Sequence, residues 1–310
     1  MLLLWASLPL DREVPSLRIK TGVSDISNQI LSRADVLPKI NICRRILQNT
    51  KERSQNLKGP LKKRHAELSE EKFVARNPLD LPKAWTRYYD QLAAHFVEQI
   101  GQRPSKVILE AGCGKGQLTI PLLRRLPRNV KMIAIDSSKG PYTGWLKELG
   151  QKLQTARLEK RVQPIKSDAR RIRGIEDESV DIVVSNELLC DLPYDSQLEK
   201  ALTEFYRILR PGGLMIHGEW SSSPAAEPQA FLVEHWPSWT PDQLFSIMRK
   251  NGFHGFHVTY FETTIHFGYE NALEELQSWG ATEKFLRHND EMLKREGIEL
   301  PYEHIVQCEK

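Results

Sequence analysis

The rhythm of hydrophobic and polar positions changes twice along the chain. Up to about residue 80 there is no strand alternation. Ile30, Leu31, Val36, Ile40, Ile46 and Leu47 recur at helical intervals, and Lys51 to Glu71 is polar, with a break at Gly59-Pro60. A partly helical extension over residues 1–80 is predicted. From Trp85 the apolar residues return every third or fourth place (Trp85, Tyr88, Leu92, Phe96, Ile100), which predicts a helix.

Short apolar runs and amphipathic stretches then alternate. Strands are predicted at Val107–Leu109, Lys131–Asp136, Val162–Ile165, Val180–Ser185 and Leu214–His217. Helices are predicted at Leu118–Leu126, Pro141–Thr155 and Asp195–Leu209, the last ending in a Pro211-Gly212-Gly213 turn. This order predicts an α/β fold with a parallel sheet and right-handed crossovers. After His217 the rhythm shifts again. Ser221 to Pro241 is too rich in Ser, Pro and Trp for a regular element. A helix over Pro241–Asn251, a strand over His254–Phe261 and a helical region over Tyr269–Arg295, broken at Gly280, follow. Tyr302–Cys308 alternates like a strand at the sheet edge. The main domain is thus predicted over residues 81–310, with insertions at 221–239 and 264–301.

Charge changes this picture only at the N-terminus. The net charge is +4, yet Lys39 to Arg76 alone holds eleven Lys or Arg against four Asp or Glu. Such an arm suits an acidic partner such as RNA. It lacks interleaved aromatic residues that would stack bases, so nucleic acid is not the favoured partner. The four cysteines, Cys43, Cys113, Cys190 and Cys308, form no CxxC pair and no zinc-type spacing, so no metal site is expected. Free thiols fit a reducing compartment. The opening MLLLWASLPL lacks a basic flank, meets Asp11 and Arg12, and is too short to span a bilayer. A soluble, cytoplasmic protein without a membrane partner is expected, and the pattern sets no oligomeric state.

The candidate chemistry sits at the strand ends. VILEAGCGKG (107–116) reads as strand, glycine turn and helix, with Glu110 and then Gly112, Gly114 and Gly116 at alternate places. Glycines serve where the chain turns tightly and where backbone must approach a ligand, which then meets the free N–H groups of the next helix. Twenty residues on, Asp136 ends the second strand, where a carboxylate accepts both hydroxyls of a ribose. Asp168 follows the third strand, where it can accept from an adenine amino group. Ser185 and Asn186 end the fourth. A dinucleotide turn would read GxGxxG, whereas this one is GxGxG followed by Gln117 and Leu118, and no GxxxxGK[ST] is present.

Taken in order, VILEAGCGKG, MIAIDSS, KSDARRI, VDIVVSNELLCDLP and YRILRPGGLMI resemble the class I S-adenosylmethionine-dependent methyltransferases over residues 84–263 plus the final strand. The resemblance implies a Rossmann-like seven-stranded sheet in order 3-2-1-4-5-7-6, the last strand antiparallel, and S-adenosyl-L-methionine as cofactor. It implies that Glu110, Gly112, Cys113, Gly114 and Gly116 cradle the methionyl part and that Asp136 holds the ribose beside Ser137. Asp168 and Ala169 would line the adenine, Asn186 and Glu187 would face the methyl group, and Tyr89 would cap the cofactor. The expected reaction is methyl transfer to a small-molecule or protein acceptor by in-line displacement, in which orientation and a dry site matter most. Candidate bases are Glu187, His217 and Glu219. Rival expectations are a non-catalytic scaffold that keeps the cofactor fold for a partner held by the basic arm, or an RNA-associated methyltransferase recruited through that arm. The chain departs from the family where Cys190 and Asp191 stand in place of paired aromatic or His residues, and it lacks the Asn-Pro-Pro-Tyr motif of base-amine methylation. The insertions carry Trp220, His235, Trp236, Trp239, Phe267, Tyr269 and Trp279, either as a substrate wall or as a satellite core.

Overall fold

A computed structural model describes residues 72–75, 81–139, 142–192, 195–221, 232, 236 and 238–310. The basic arm apart from residues 72–75, the periodicity over 30–47, His235 and most of the 221–239 insertion lie outside the described residues.

The strand runs read from sequence form one sheet. Its members are β2 (Val107–Ala111), β3 (Lys131–Asp136), β4 (Val162–Lys166), β5 (Val180–Asn186), β6 (Leu209–Trp220), β7 (His254–Phe261) and β10 (Glu303–Glu309), in spatial order β4-β3-β2-β5-β6-β10-β7. Counted within this sheet, the order is the expected 3-2-1-4-5-7-6. Only β10 runs antiparallel to its neighbours β6 and β7. Tyr302–Cys308 was expected at the edge, but the strand there is interior. Both of its faces are buried over Glu303–Val306, whereas β7 is largely open to solvent and forms the edge. The Pro-Gly-Gly turn is a bulge inside β6. Leu209 pairs with Val180 and Leu214 with Ile182, and the slack is taken up by Gly212 N–H donating to Lys310 O at 2.8 Å.

Side-chain alternation splits the core into two layers. Ile108, Ile182, Val184, Leu214 and Ile216 point to one face, where they meet α1 (Leu81–Ile100), α2 (Thr119–Arg125) and α3 (Trp145–Ala156). Leu109, Val183 and Met215 point to the other, against α4 (Asp195–Ile208) and α5 (Pro241–Lys250). Parallel strands covered on both faces need apolar residues at nearly every position, which is why VILEA and VDIVVS show no alternation. In α1 the stripe Leu81, Ala84, Tyr88, Leu92, Phe96 and Ile100 is buried. Truncating a fully buried ring such as Phe96 or Phe205 to Ala costs about 3–5 kcal/mol. Thr240 starts α5 with a capping box to Gln243, and Pro241 takes the first turn, where its missing N–H matters least.

A second, small sheet escaped the sequence reading. β1 (Lys72–Ala75) pairs parallel with β8 (Thr264–Phe267), which pairs antiparallel with β9 (Ile298–Glu299). Residues 72–75, assigned from sequence to the extension, therefore complete a sheet of the main body. The 264–301 insertion contributes β8, β9, α6 (Tyr269–Ser278) and α7 (Glu283–Glu296). The break near Gly280 is real: Gly280 has φ +89° and Thr282 caps α7 by accepting from Phe285 N–H.

Candidate active site

The carboxyl ends of β2, β3, β4 and β5 open onto one cavity of about 580 Å³. This is the edge at which open α/β sheets bind ligands. Of the residues singled out from sequence, Tyr89, Glu110, Gly112, Cys113, Gly114, Asp136, Ser137, Asp168, Ala169, Asn186 and Glu187 line it.

The turn after β2 is built by its glycines. Gly112 N–H and Cys113 N–H both donate to Ile135 O, tying the turn to β3 at 2.9 and 3.1 Å. Gly112, Gly114 and Gly116 have φ of +75°, +51° and +82°, a region that side chains other than glycine rarely enter. A Cβ on Gly114 would stand 3.2 Å from Trp145 of α3, and one on Gly116 would stand 2.5 Å from Leu149. Gly116 was expected in the ligand cradle. It does not line the cavity, and its missing side chain instead allows α3 to pack against the turn.

Asp136 locks this turn to β3. Its Oδ2 accepts from Gly114 N–H at 3.2 Å and its Oδ1 from Ser138 N–H at 2.6 Å, with the residue only 8% exposed. Each oxygen keeps a lone pair for a further donor. Glu110 is buried, and its Oε2 has no hydrogen-bond partner. Burial pushes its pKa up to about 8, against the pull of the Thr119 hydroxyl and with the Asp136 charge adding to the rise. Asp168 is held differently: Arg170 grips both its oxygens, at 2.9 and 2.7 Å, and this pairing lowers its pKa.

The three candidate bases separate. Glu187 faces the cavity. It sits at φ +48°, a conformation that costs roughly 1–2 kcal/mol and that its contacts hold in place. Its N–H donates to Gly218 O at 2.9 Å, and its Oε1 accepts from Trp220 N–H at 2.8 Å. Burial, then Glu303, then Glu219 raise its pKa well above the ordinary carboxyl range. His217 and Glu219 do not line the cavity. Both are fully buried, His217 Nε2 lies 2.7 Å from Glu219 Oε2, and His217 Nδ1 lies 2.9 Å from Ser185 Oγ. Glu219 Oε1 accepts from Trp239 N–H at 2.8 Å. A base must reach its proton directly or through one water, so this chain braces the site from behind.

Several lining residues carried no motif. Glu303 on β10 is 1% exposed, and its Oε1 accepts from the Tyr88 hydroxyl at 2.5 Å. Burial pushes it up to about 7, against the pull of Tyr88 and Asn186. Glu275 on α6 accepts from Trp85 Nε1–H at 2.7 Å, and burial raises its pKa too. Asp191 accepts from the Tyr142 hydroxyl at 3.0 Å, and burial pushes it up to about 7. A signal for Glu275 was present: it shares the buried stripe of its helix with Ala272 and Leu276. The insertion aromatics divide. Trp220 and Trp279 line the cavity, whereas Trp236 packs edge-on to Trp279 and Phe285, and Phe267 packs against Trp85 and Trp279. Among the described residues no group of three or more His, Cys, Asp or Glu suits a metal ion, and no helix is long and apolar enough to cross a membrane.

Comparison with known proteins agrees with this geometry. Residues 108–213 match the family model of a methyltransferase domain. The chain is 30% identical over 131 residues to malonyl-[acyl-carrier protein] O-methyltransferase of Xylella fastidiosa, covering 41% of this chain and 39% of the relative. It is 25% identical over 146 residues to demethylmenaquinone methyltransferase of Symbiobacterium thermophilum, covering 47% and 53%. The chain thus spans about half the length of these curated relatives, or less. A crystal structure of a candidate methyltransferase from Bacillus halodurans shares the fold, with TM-score 0.53 and 14% identity over 70% of this chain and 98% of that one. A methyltransferase domain model thus matches residues 108–213, and the strand order and glycine turn are those of the class I S-adenosylmethionine-dependent methyltransferase fold.

Proposed function

We propose that this chain transfers a methyl group from S-adenosylmethionine to a small-molecule or protein acceptor that enters the same cavity beyond Asn186. One observation carries the reading: the glycine turn, Glu110 and Asp136 converge on a cavity that is also lined by Trp85, Tyr88, Glu187, Trp220 and Trp279. The residues fit the cofactor. The unpartnered Glu110 Oε2 needs a cationic donor, and an amino-acid ammonium is one. Asp136 has acceptor capacity for vicinal hydroxyls, and Ser137 and Ala169 complete the cofactor end. Bound there, the cofactor supplies a methyl group on a positively charged sulfur.

The protein's part is placement and exclusion of water. Trp85, Tyr88, Tyr89, Trp220 and Trp279 wall the acceptor end. Glu187, held by Trp220 N–H and raised in pKa by burial, is placed to take a proton from the acceptor. The free state of Cys113, Cys190 and Cys308 fits a reducing, cytoplasmic setting.

Transfer of a radiolabelled methyl group from S-adenosylmethionine onto fractionated lysate tests this. Label should appear in a discrete fraction with the wild-type protein and be lost with Asp136→Ala. A protein that binds the cofactor yet labels no fraction would contradict the enzyme reading.

A further inference from the structure

We infer that the acceptor is an amine, bound as its ammonium form between Glu275 and Glu303 and carried on an apolar or aromatic body. This deepens the methyl-transfer reading and rests on it.

The argument starts from which charges line the two ends. At the cofactor end the cationic side chains are Lys115 and Arg170, and both are engaged, with Glu148 at 3.4 Å and Asp168 at 2.7 Å. The other lining carboxyls include Glu187, Asp191, Glu275 and Glu303, and the described lining residues hold no further Lys or Arg and no His. The cofactor's ammonium is met by Glu110 and its sulfonium is a single charge. Four further carboxyls line the cavity, held toward their neutral forms by burial, and a cationic ligand would draw them to the ionised form. The Tyr89 phenol lies among them: burial, then Glu303, Glu187, Glu275 and Glu110 push its pKa far up.

The hydrogen-bond inventory points the same way. Glu110, Asn186 and Glu303 line the cavity, and their Oε2, Oδ1 and Oε2 atoms are buried without a well-formed hydrogen bond, with Thr119 beside Glu110 and Asn186 beside Glu303. All three are acceptors. Turning over the Asn186 amide would give Glu303 one donor from within. A buried carboxylate without a donor is costly, and a ligand that brings N–H groups and positive charge removes that cost. The surrounding rings add to this. Trp85 stacks on Tyr89 at 5.7 Å, and Trp220 meets Trp279 edge-on at 5.0 Å. Indole and phenol faces attract cations and accept an apolar body equally well.

The chemistry balances. The ammonium's charge favours the ionised form of Glu187, and the ammonium then gives a proton to that carboxylate. The neutral nitrogen's lone pair then forms the bond to the methyl carbon, the carbon–sulfur bond breaks, and its electron pair stays on sulfur as a thioether. The positive charge passes from sulfur to the methylated nitrogen within the same acidic surround. No further reactant is needed.

Titration calorimetry on the full chain saturated with S-adenosylhomocysteine tests the inference. The probes are phenethylamine, 2-phenylethanol and 3-phenylpropionate, with Nα-acetyl-lysine amide as a fourth that distinguishes a protein lysine from a free amine. Phenethylamine or the lysine amide should bind at least tenfold tighter than the alcohol or the acid. Glu275→Gln and Glu303→Gln keep the oxygens that accept from Trp85 and Tyr88, and each should weaken amine binding at least tenfold while S-adenosylhomocysteine binding stays within twofold. Equal binding of the neutral probe, tighter binding of the acid, or no binding of any probe at millimolar concentration overturns the inference. Should the variants fail to fold, the ranking of probes on the wild type still decides. Failure of S-adenosylhomocysteine itself to bind is a separate result, and it strikes the methyl-transfer reading instead.

Discussion

The Tyr88 hydroxyl donates to Glu303 Oε1 across 2.5 Å, joining the first helix of the main body to its last strand through a buried bond. The two residues are 215 positions apart and both line the cavity. Tyr88→Phe should destabilise the protein by about 1.5–3 kcal/mol, the range for a hydrogen bond to a charged group. The loss should be larger at pH 8 than at pH 5, because the bond favours the ionised form of Glu303. Urea melts at the two pH values check this; an equal loss at both would contradict it.

Glu303 sets the sign of a second pH effect. Its pKa is raised from 4.5 to about 7, first by burial. A carboxyl raised on folding contributes its full stability below the unfolded pKa, and that contribution is lost as pH rises through the folded value. Glu303→Gln removes the buried anion. The variant should match the wild type near pH 5 and exceed it near pH 8 by on the order of 1–3 kcal/mol, since each pKa unit is worth about 1.4 kcal/mol. A variant less stable than wild type at pH 8 would contradict the assignment.

Gly114→Val adds a branched side chain at φ +51°, with the first new carbon 3.2 Å from Trp145. The turn must shift, and with it the N–H that Asp136 accepts. S-adenosylmethionine affinity should fall at least tenfold by calorimetry while the far-ultraviolet circular dichroism is retained. Unchanged affinity would show that the ligand does not lie over this turn.

Asp136→Ala removes the acceptor of Gly114 N–H and Ser138 N–H together with that proposed for the ribose. Cofactor binding should weaken by about 1.5–3 kcal/mol, as for other charged hydrogen bonds. A cofactor analogue lacking both ribose hydroxyls should lose less affinity on this mutation than the natural cofactor does. If the mutant still prefers the natural cofactor by the wild-type margin, Asp136 is not the ribose partner.

The strand order and the glycine turn were legible because they rest on local pattern. VILEA, KMIAID and VDIVVS are largely apolar runs, and each carries a polar residue, Glu110, Asp136 or Ser185, at or next to its ligand-edge end. The small sheet was not legible. KFVA is four residues and β9 is two, too short to show a period, and their pairing is set by where α1 and the last insertion bring them. Glu303 was hidden for a related reason. In YEHIVQC it occupies an alternating position like any strand residue, and only its pairing opposite Trp220 and Phe261 carries it into the cavity. His217 shows the reverse case. Its place at a strand exit suggested a base, while the structure turns it inward to Ser185 and Glu219.

Binding of S-adenosylmethionine and S-adenosylhomocysteine to the full chain, measured by titration calorimetry, tests the central claim most directly. Saturable one-to-one binding of both, weakened by Gly114→Val and by Asp136→Ala, is the predicted result. No heat from either ligand at millimolar concentration, with the protein folded by circular dichroism, would contradict the account.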